Sequence, residues 1–137
     1  MYPAELTAPM ALELTGKGFE GLTSPDQVTN VLEQKEGTVL VVVNSVCGCA
    51  AANARPAALI ASQHDKTPDR LTTVFAGVDR EATEKAREFM LPYPPSSPSI
   101  ALFKDGALVH FIERHHIEGR SADIIAENLK LAFDKYC

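Results

Sequence analysis

The run Thr38–Val43, which reads Thr-Val-Leu-Val-Val-Val, most constrains the fold of this 137-residue chain. A strand with one face in water alternates apolar and polar residues, whereas this run is apolar and β-branched almost throughout. It therefore predicts a strand that is buried on both faces, as at the centre of a parallel sheet.

Helices and a second strand are predicted on either side of this run. One helix begins at Ser24, which acts as its N-cap, and ends at Gly37. The alanine-rich segment 50–61 predicts a second helix with a kink at Pro56, and the apolar segment 71–78 predicts a second strand. Two strands joined by a helix form a right-handed βαβ unit.

The C-terminal part predicts an antiparallel hairpin between two helices. Strands at 99–103 and 107–112 flank Lys104-Asp105-Gly106, and an Asp-Gly pair suits the positive φ angles of a tight turn. The adjoining elements are a helix capped by Asp79 and stopped by Pro92, a last helix capped by Ser121, and an N-terminal helix followed by an edge strand near Phe19. This order predicts one domain over residues 1–137, an α/β sandwich with a mixed sheet of four or five strands.

Composition and charge argue against several classes of partner and compartment. The formal net charge is −5 and the 13 Lys and Arg residues are scattered, so we expect no nucleic-acid partner. No apolar run approaches the ~18 residues that span a bilayer, so we expect no membrane partner. The start shows no basic and apolar signal pattern, and three cysteines are too few and odd for a disulfide framework. We therefore expect a reducing, cytoplasmic location.

The segment Cys47-Gly48-Cys49 follows the buried strand and begins a helix. Sites in open α/β sheets lie at this end of the strands. A helix N-terminus offers unpaired N–H groups and about half a positive charge, which stabilise a thiolate. We expect Cys47 to be the exposed nucleophile and Cys49, one step into the helix, to be the resolving thiol. The alternative is two ordinary buried cysteines.

The spacing of the two cysteines bears on their chemistry. A disulfide between positions i and i+2 closes a small ring, and S–S geometry is demanding. Gly48 lacks a Cβ and relaxes the backbone between the two thiols. We expect a strained, labile bond that favours exchange and mixed disulfides over strong reduction.

Two segments resemble known proteins. Ser97-Pro98-Ser99-Ile100-Ala101-Leu102-Phe103-Lys104-Asp105-Gly106 is similar to the thioredoxin-like pattern of a proline, an apolar strand and a polar turn. The block from Val41 to Pro56, with Val-Val-Val-Asn-Ser-Val-Cys-Gly-Cys-Ala-Ala-Ala-Asn-Ala-Arg-Pro, resembles the bacilliredoxin family. The resemblance extends over nearly the whole chain and implies a thioredoxin-like sandwich.

The resemblance also implies an activity. Bacilliredoxins are small cytoplasmic redox proteins that remove bacillithiol from mixed disulfides on client proteins, and isomerase-like activity is associated with the fold. Cys47 is then the attacker, Cys49 its partner, and Pro98, with Ser97, positions the substrate. The Ser97–Pro98 bond is expected to be cis, beside the cysteines. No cofactor is implied, because bacillithiol is the low-molecular-weight thiol substrate, and no resident metal is expected.

Val41 departs from the pattern of ordinary thioredoxins, which carry a buried acid six residues before the first cysteine. Without that acid, proton transfer to the second thiol lacks an obvious relay. The departure argues against a general thioredoxin-like reductase and leaves removal of small thiols as the favoured activity.

Other residues leave alternatives open. A metal-binding module would combine the cysteine pair with a histidine, and the candidates are His64, His110, His115 and His116. The adjacent His115 and His116 would point to opposite faces if they lay on a strand. A non-catalytic thioredoxin-like adaptor is the third class. Cys137 is either a flexible terminal thiol, or a third redox cysteine or intermolecular disulfide partner. Arg55 either meets an anionic thiol substrate or is an ordinary surface arginine.

Overall fold

The computed structural model describes residues 2–137. The strands are β1 (Glu20–Gly21), β2 (Thr38–Asn44), β3 (Arg70–Phe75), β4 (Ser99–Lys104) and β5 (Ala107–Ile112). The helices are α1 (Ala4–Thr15), α2 (Pro25–Leu32), α3 (Arg55–Ala61), α4 (Arg80–Glu88), α5 (Arg114–Ile117) and α6 (Ala122–Tyr136). The five strands form one sheet in the order β1-β3-β2-β4-β5. Within residues 2–137 no helix has the length and apolar character needed to cross a membrane.

Strand β2 lies at the centre of the sheet, as predicted. Every residue of β2 is buried, and it pairs in parallel with β3 and antiparallel with β4. Leu40 and Val42 pack into the core under α1, α3 and α6, whereas Val41 and Val43 pack into the core under α2 and α4. The unbroken apolar run is therefore explained by two cores, one on each face of the strand.

The hairpin between β4 and β5 is also confirmed. Asp105 and Gly106 have φ angles of 52° and 84°, which are the positive values that a two-residue turn of this kind requires. The Asp105 carboxylate accepts a hydrogen bond of 2.9 Å from the Gly37 amide. The turn is thereby attached to the loop that leads into β2.

Strand β3 ends at Phe75 rather than at the predicted Val78. The amides of Val78 and Asp79 both donate to the Phe75 carbonyl, and Gly77 has a φ of +85°, so the chain turns away from the sheet. Asp79 lies at the N-cap of α4 as predicted, but its side chain makes no capping hydrogen bond. Helix α4 ends at Glu88, before the predicted stop at Pro92.

The predicted helix over residues 50–61 is divided into two parts. Ala50–Ala54 forms a π-helical turn, in which the Arg55 amide donates to the Ala50 carbonyl, and α3 follows. Pro56 lies in the first turn of α3, where a missing N–H costs little. The expected kink is thus replaced by a wider turn that reaches from the cysteines to the proline.

Neither expectation for Arg55 is met. Its side chain is only 1% exposed, so it is neither a surface arginine nor open to an anionic substrate. Its Nη1 donates to the Asn44 side-chain oxygen and to the Ser45 carbonyl, each at 2.9 Å. Its Nε donates to the Glu13 carboxylate at 2.9 Å. A buried charge requires such partners, so Arg55 joins α1, the end of β2 and the start of α3.

Arg55→Met is expected to destabilise the protein by about 3 kcal/mol, because each buried acceptor left without a donor costs about 1–3 kcal/mol. Arg55→Lys is expected to lose less, since it keeps the charge but not the planar fork. Urea unfolding followed by circular dichroism measures both. Exposed Arg80, changed to Met, serves as the control, and an equal loss at both positions would contradict the structural role of Arg55.

Candidate active site

The two cysteines lie just beyond the C-terminal end of β2, where the helical segment begins, as predicted. Both side chains are partly buried and both thiols are free. The Cys47 amide donates to the Ser45 hydroxyl at 3.1 Å, and the Cys47 carbonyl accepts from the Ala50 amide at 2.9 Å. These bonds orient the turn, so that the Cys47 sulfur faces the amide two residues later.

Gly48 is exposed, and a Cβ placed on it would meet no atom within 4 Å. The φ angle of Gly48 is not in the positive range that several other glycines among residues 2–137 adopt. The backbone of the reduced pair therefore does not require a glycine here. A role for Gly48 in closing a disulfide stays a prediction.

The Cys47 sulfur lies within a set of hydrogen-bond donors. The Cys49 amide donates to it at 3.4 Å, and the Arg114 Nη2 donates to it at 3.3 Å. Hydrogen bonds from the thiol and the amide of Cys49 hold the pKa of Cys47 below that of an ordinary thiol, and the charge of Arg114 lowers it further. The arrangement favours the thiolate form of Cys47.

The second thiol is shifted in the opposite direction. Burial raises the pKa of Cys49, and the adjacent Cys47 sulfur raises it further. The negative charge of Glu118 acts in the same direction. A lowered first pKa and a raised second pKa are what an attacking thiolate and a protonated partner require, but the two roles stay predictions.

Arg114 is a site residue that the sequence reading missed. It lies at the start of α5, a four-residue helix that was also not predicted, and is 67 residues from Cys47 in the chain. Besides the sulfur, its guanidinium donates to the Ser97 carbonyl at 3.1 Å and forms an ion pair with Glu118. No local pattern marks such a residue, because the contact arises only when β5 returns the chain to the sheet.

Pro98 lies where the sequence placed it. The Ser97–Pro98 bond is cis, as predicted, and Pro98 is buried at the start of β4. Because Arg114 binds both the Ser97 carbonyl and the Cys47 sulfur, one guanidinium connects the predicted substrate-positioning segment to the predicted nucleophile.

Val41 occupies the position at which ordinary thioredoxins carry an acid. It is fully buried and pairs with Thr72 on β3 and Ala101 on β4. No carboxylate is therefore supplied from this position of the central strand. The carboxylate whose charge raises the pKa of Cys49 belongs to Glu118, an exposed residue that follows α5.

The histidines do not join the cysteines. His115 and His116 lie in α5 and not on a strand, with their ring centroids 4.0 Å apart. Together with Glu113 they form the one group of three potential metal ligands found among residues 2–137, and neither cysteine belongs to it. A metal site made from the cysteine pair and a histidine is therefore not assembled in the described chain.

Cys137 lies at the other end of the sheet from the cysteine pair. Its amide donates to the Phe133 carbonyl at 2.8 Å, which extends the hydrogen bonding of α6 to the last residue. The residue is exposed, but its thiol lies near Thr38, the first residue of β2, and partial burial there raises the pKa of Cys137. Cys137 is thus not a third cysteine of the Cys47 site.

The comparisons with solved structures identify the fold. A thioredoxin of Malassezia sympodialis superimposes with a TM-score of 0.58 over 87% of this chain and 90% of that one, at 20% identity. A thioredoxin of Plasmodium falciparum superimposes with a TM-score of 0.56 over 85% of this chain and 99% of that one, at 15% identity. The thioredoxin-like sandwich expected from the sequence is confirmed.

Sequence comparisons then identify the family. The family described as Disulphide isomerase matches residues 2–137. A bacilliredoxin of Cytophaga hutchinsonii is 60% identical over 98% of this chain and 99% of its own length. A bacilliredoxin of Halalkalibacterium halodurans is 52% identical over 99% of this chain and 94% of its own length. Since relatives at this identity cover almost every residue, this chain belongs to the bacilliredoxin family of thioredoxin-like redox proteins.

Proposed function

We propose that this protein removes bacillithiol from mixed disulfides on client proteins in the cytoplasm. The observation that carries the proposal is the environment of the Cys47 sulfur, which is partly exposed and accepts hydrogen bonds from the Cys49 amide and the Arg114 guanidinium. Such contacts favour the thiolate, which is the form that attacks a disulfide. The names of the relatives support bacillithiol as the small thiol.

The reaction consists of two thiol–disulfide exchanges. The Cys47 thiolate attacks the bacillithiol sulfur, a Cys47–bacillithiol disulfide forms, and the client leaves as a thiolate. Cys49 then loses its proton and attacks the Cys47 sulfur. Bacillithiol leaves as a thiolate and the Cys47–Cys49 disulfide remains, so the pair is oxidised as the client is reduced. An external thiol returns the pair to the reduced state.

Two features favour this reaction over general disulfide reduction. Burial raises the pKa of Cys49, so the second step begins from a protonated thiol, and Val41 supplies no acid that would accept the proton. The short spacing of the two cysteines also makes their disulfide costly to form. The mixed disulfide on Cys47 therefore persists, which suits transfer of a small thiol.

Disulfide isomerisation is a second candidate, favoured by the description of the matching family. It needs the same first step, because a Cys47 thiolate attacks a client disulfide and is later displaced by another client thiol. The persistent mixed disulfide serves both reactions. A non-catalytic adaptor, by contrast, needs no reactive Cys47.

The first kinetic prediction concerns the order in which the thiols react. Because hydrogen bonds lower the pKa of Cys47 while burial raises that of Cys49, iodoacetamide should modify Cys47 first near neutral pH. The rate should rise with pH and level off below the pKa of a free thiol, about 8.5. Peptide mass spectrometry across pH measures this, with Cys137 as the internal control, and earlier modification of Cys49 would refute the assignment.

The second kinetic prediction concerns Arg114. Arg114→Gln removes the positive charge beside the sulfur, so the pKa of Cys47 should rise and its alkylation at pH 7 should slow several-fold. Added salt should slow the unchanged protein towards the variant, because it screens an exposed charge. The same substitution at exposed Arg80 is the control, and equal rates for all three proteins would contradict this role for Arg114.

The third prediction separates the two steps. Cys49→Ala should still take bacillithiol from a client and remain loaded with it, since the first step needs Cys47 alone. Cys47→Ala should take nothing, and the unchanged protein should reduce insulin poorly, with a reduction potential above the ~−270 mV of thioredoxin.

Intact mass and peptide mapping identify the attached thiol, and Cys137→Ala is the matched control. Insulin reduction that rivals thioredoxin would overturn the mechanism. So would a Cys49→Ala protein that stays unloaded. Loading by glutathione but not by bacillithiol would keep the exchange chemistry and exclude bacillithiol.

A further inference from the structure

A cavity of about 250 Å³ lies between β5, α5 and the first turns of α6. Its polar lining is formed by His110, His116, Arg120 and Asn128, and its apolar lining includes Ile125. The His110 ring nitrogen and the Asn128 side-chain oxygen are 2.7 Å apart, which fixes one wall. The reactions described above make no use of these side chains.

The cavity lies next to the cysteine site. Residues 114–120 connect the two: Arg114 at one end contacts the Cys47 sulfur, and the Arg120 carbonyl at the other end accepts a hydrogen bond from the Asn53 side chain. Asn53 belongs to the turn that follows Cys49. The segment that borders the cavity is thus attached at both ends to the turn that carries the cysteines.

The sheet shows on which face the cavity lies. Ile112 in the cavity wall pairs with Ile100, which pairs with Val42 on β2, so this wall is two strands, or about 10 Å, from β2. Ile112 and Val42 pack into the same core, under α3 and α6. The cavity and the helical segment of the cysteines are thus on one face of the sheet.

The charge of the lining indicates the ligand. Arg120 is exposed and, among residues 2–137, its guanidinium forms no ion pair. Two histidines and one amide complete the polar lining, and no carboxylate is part of it. An exposed guanidinium that forms no ion pair is a binding group for a carboxylate, and the apolar wall accommodates the carbon skeleton that carries it.

We propose that this cavity binds the carboxylate-bearing part of the small thiol while its sulfur is transferred to Cys47. The inference rests on the proposed function and specifies its substrate as an acidic small thiol. A mixed disulfide offers two sulfurs, and an attack on the client sulfur would join the client to Cys47. Binding of the small thiol beside Arg120 directs Cys47 to the small-thiol sulfur, so the Cys47–small-thiol disulfide forms and the client thiolate leaves.

The test uses a one-cysteine client protein that carries bacillithiol, glutathione or glutathione diethyl ester, whose carboxylates are neutralised. Each is mixed with Cys49→Ala protein, with or without Arg120→Ala, and the adduct on Cys47 is followed by intact mass. Arg120→Ala should slow transfer of bacillithiol and glutathione about tenfold, the size of effect typical for a hydrogen bond to a charged group. It should leave the diester unchanged and increase the fraction of client attached to Cys47.

Arg80→Ala, at an exposed arginine on α4, is the matched control and should change neither rate nor adduct. Circular dichroism confirms that each variant is folded. Transfer from the carboxylate thiols that is insensitive to Arg120→Ala, or equal slowing of the diester, would overturn the cavity inference and leave the proposed function in place. If the Cys49→Ala protein without Arg120→Ala transfers none of the three small thiols, the cavity inference and the proposed function are both overturned.

Discussion

The structure of the cysteine site depends on the hydrogen bonds that the buried guanidinium of Arg55 donates. It lies beneath the loop that leaves β2 and satisfies both the Asn44 side chain and the Ser45 carbonyl. The Ser45 hydroxyl in turn accepts a hydrogen bond from the Cys47 amide, so Ser45 connects the buried charge of Arg55 to the backbone of Cys47. An arginine is suited to this place because its planar fork reaches several acceptors and stays charged when buried.

The site itself is assembled from distant parts of the chain. The turn after β2 supplies the thiols, the loop before β4 supplies Ser97 and Pro98, and α5 supplies Arg114. The sheet brings these parts together because β4 pairs with β2 and β5 pairs with β4. One guanidinium then bridges a sulfur and a carbonyl, so the Cys47 sulfur and the segment before β4 are connected through the same residue.

Local chemistry explains what the sequence made predictable. The apolar run of β2, the Asp105-Gly106 turn and the Ser24 and Ser121 caps each act through neighbours in the chain, and the structure confirms them. The site's cysteines were also recognisable, because a strand followed by a helix start is a local pattern. Their position at the end of the central strand followed directly from it.

The site features that the sequence did not predict depend on contacts between residues that are distant in the chain. Helix α5 is too short for a hydrophobic period, and the contact of Arg114 with Cys47 arises only through the fold of the sheet. Likewise, nothing local indicates that Arg55 is enclosed, since arginine is rarely buried and its acceptors come from other elements. Strand β3 was predicted too long because Val78 is apolar, while Gly77 already turns the chain.

The position of Cys137 has a consequence for how molecules can be joined. It lies beside Thr38 at the start of β2, whereas Cys47 follows the end of that seven-residue strand, so roughly 20 Å separates them. A disulfide needs Cα atoms within about 7 Å, so no bond within one molecule links them. Two copies linked through Cys137, or one copy tethered to a surface at Cys137, keep every Cys-Gly-Cys pair at the opposite end of β2 from the attachment. Such a product is bivalent or immobilised, and the attachment does not cover the thiols of Cys47 and Cys49.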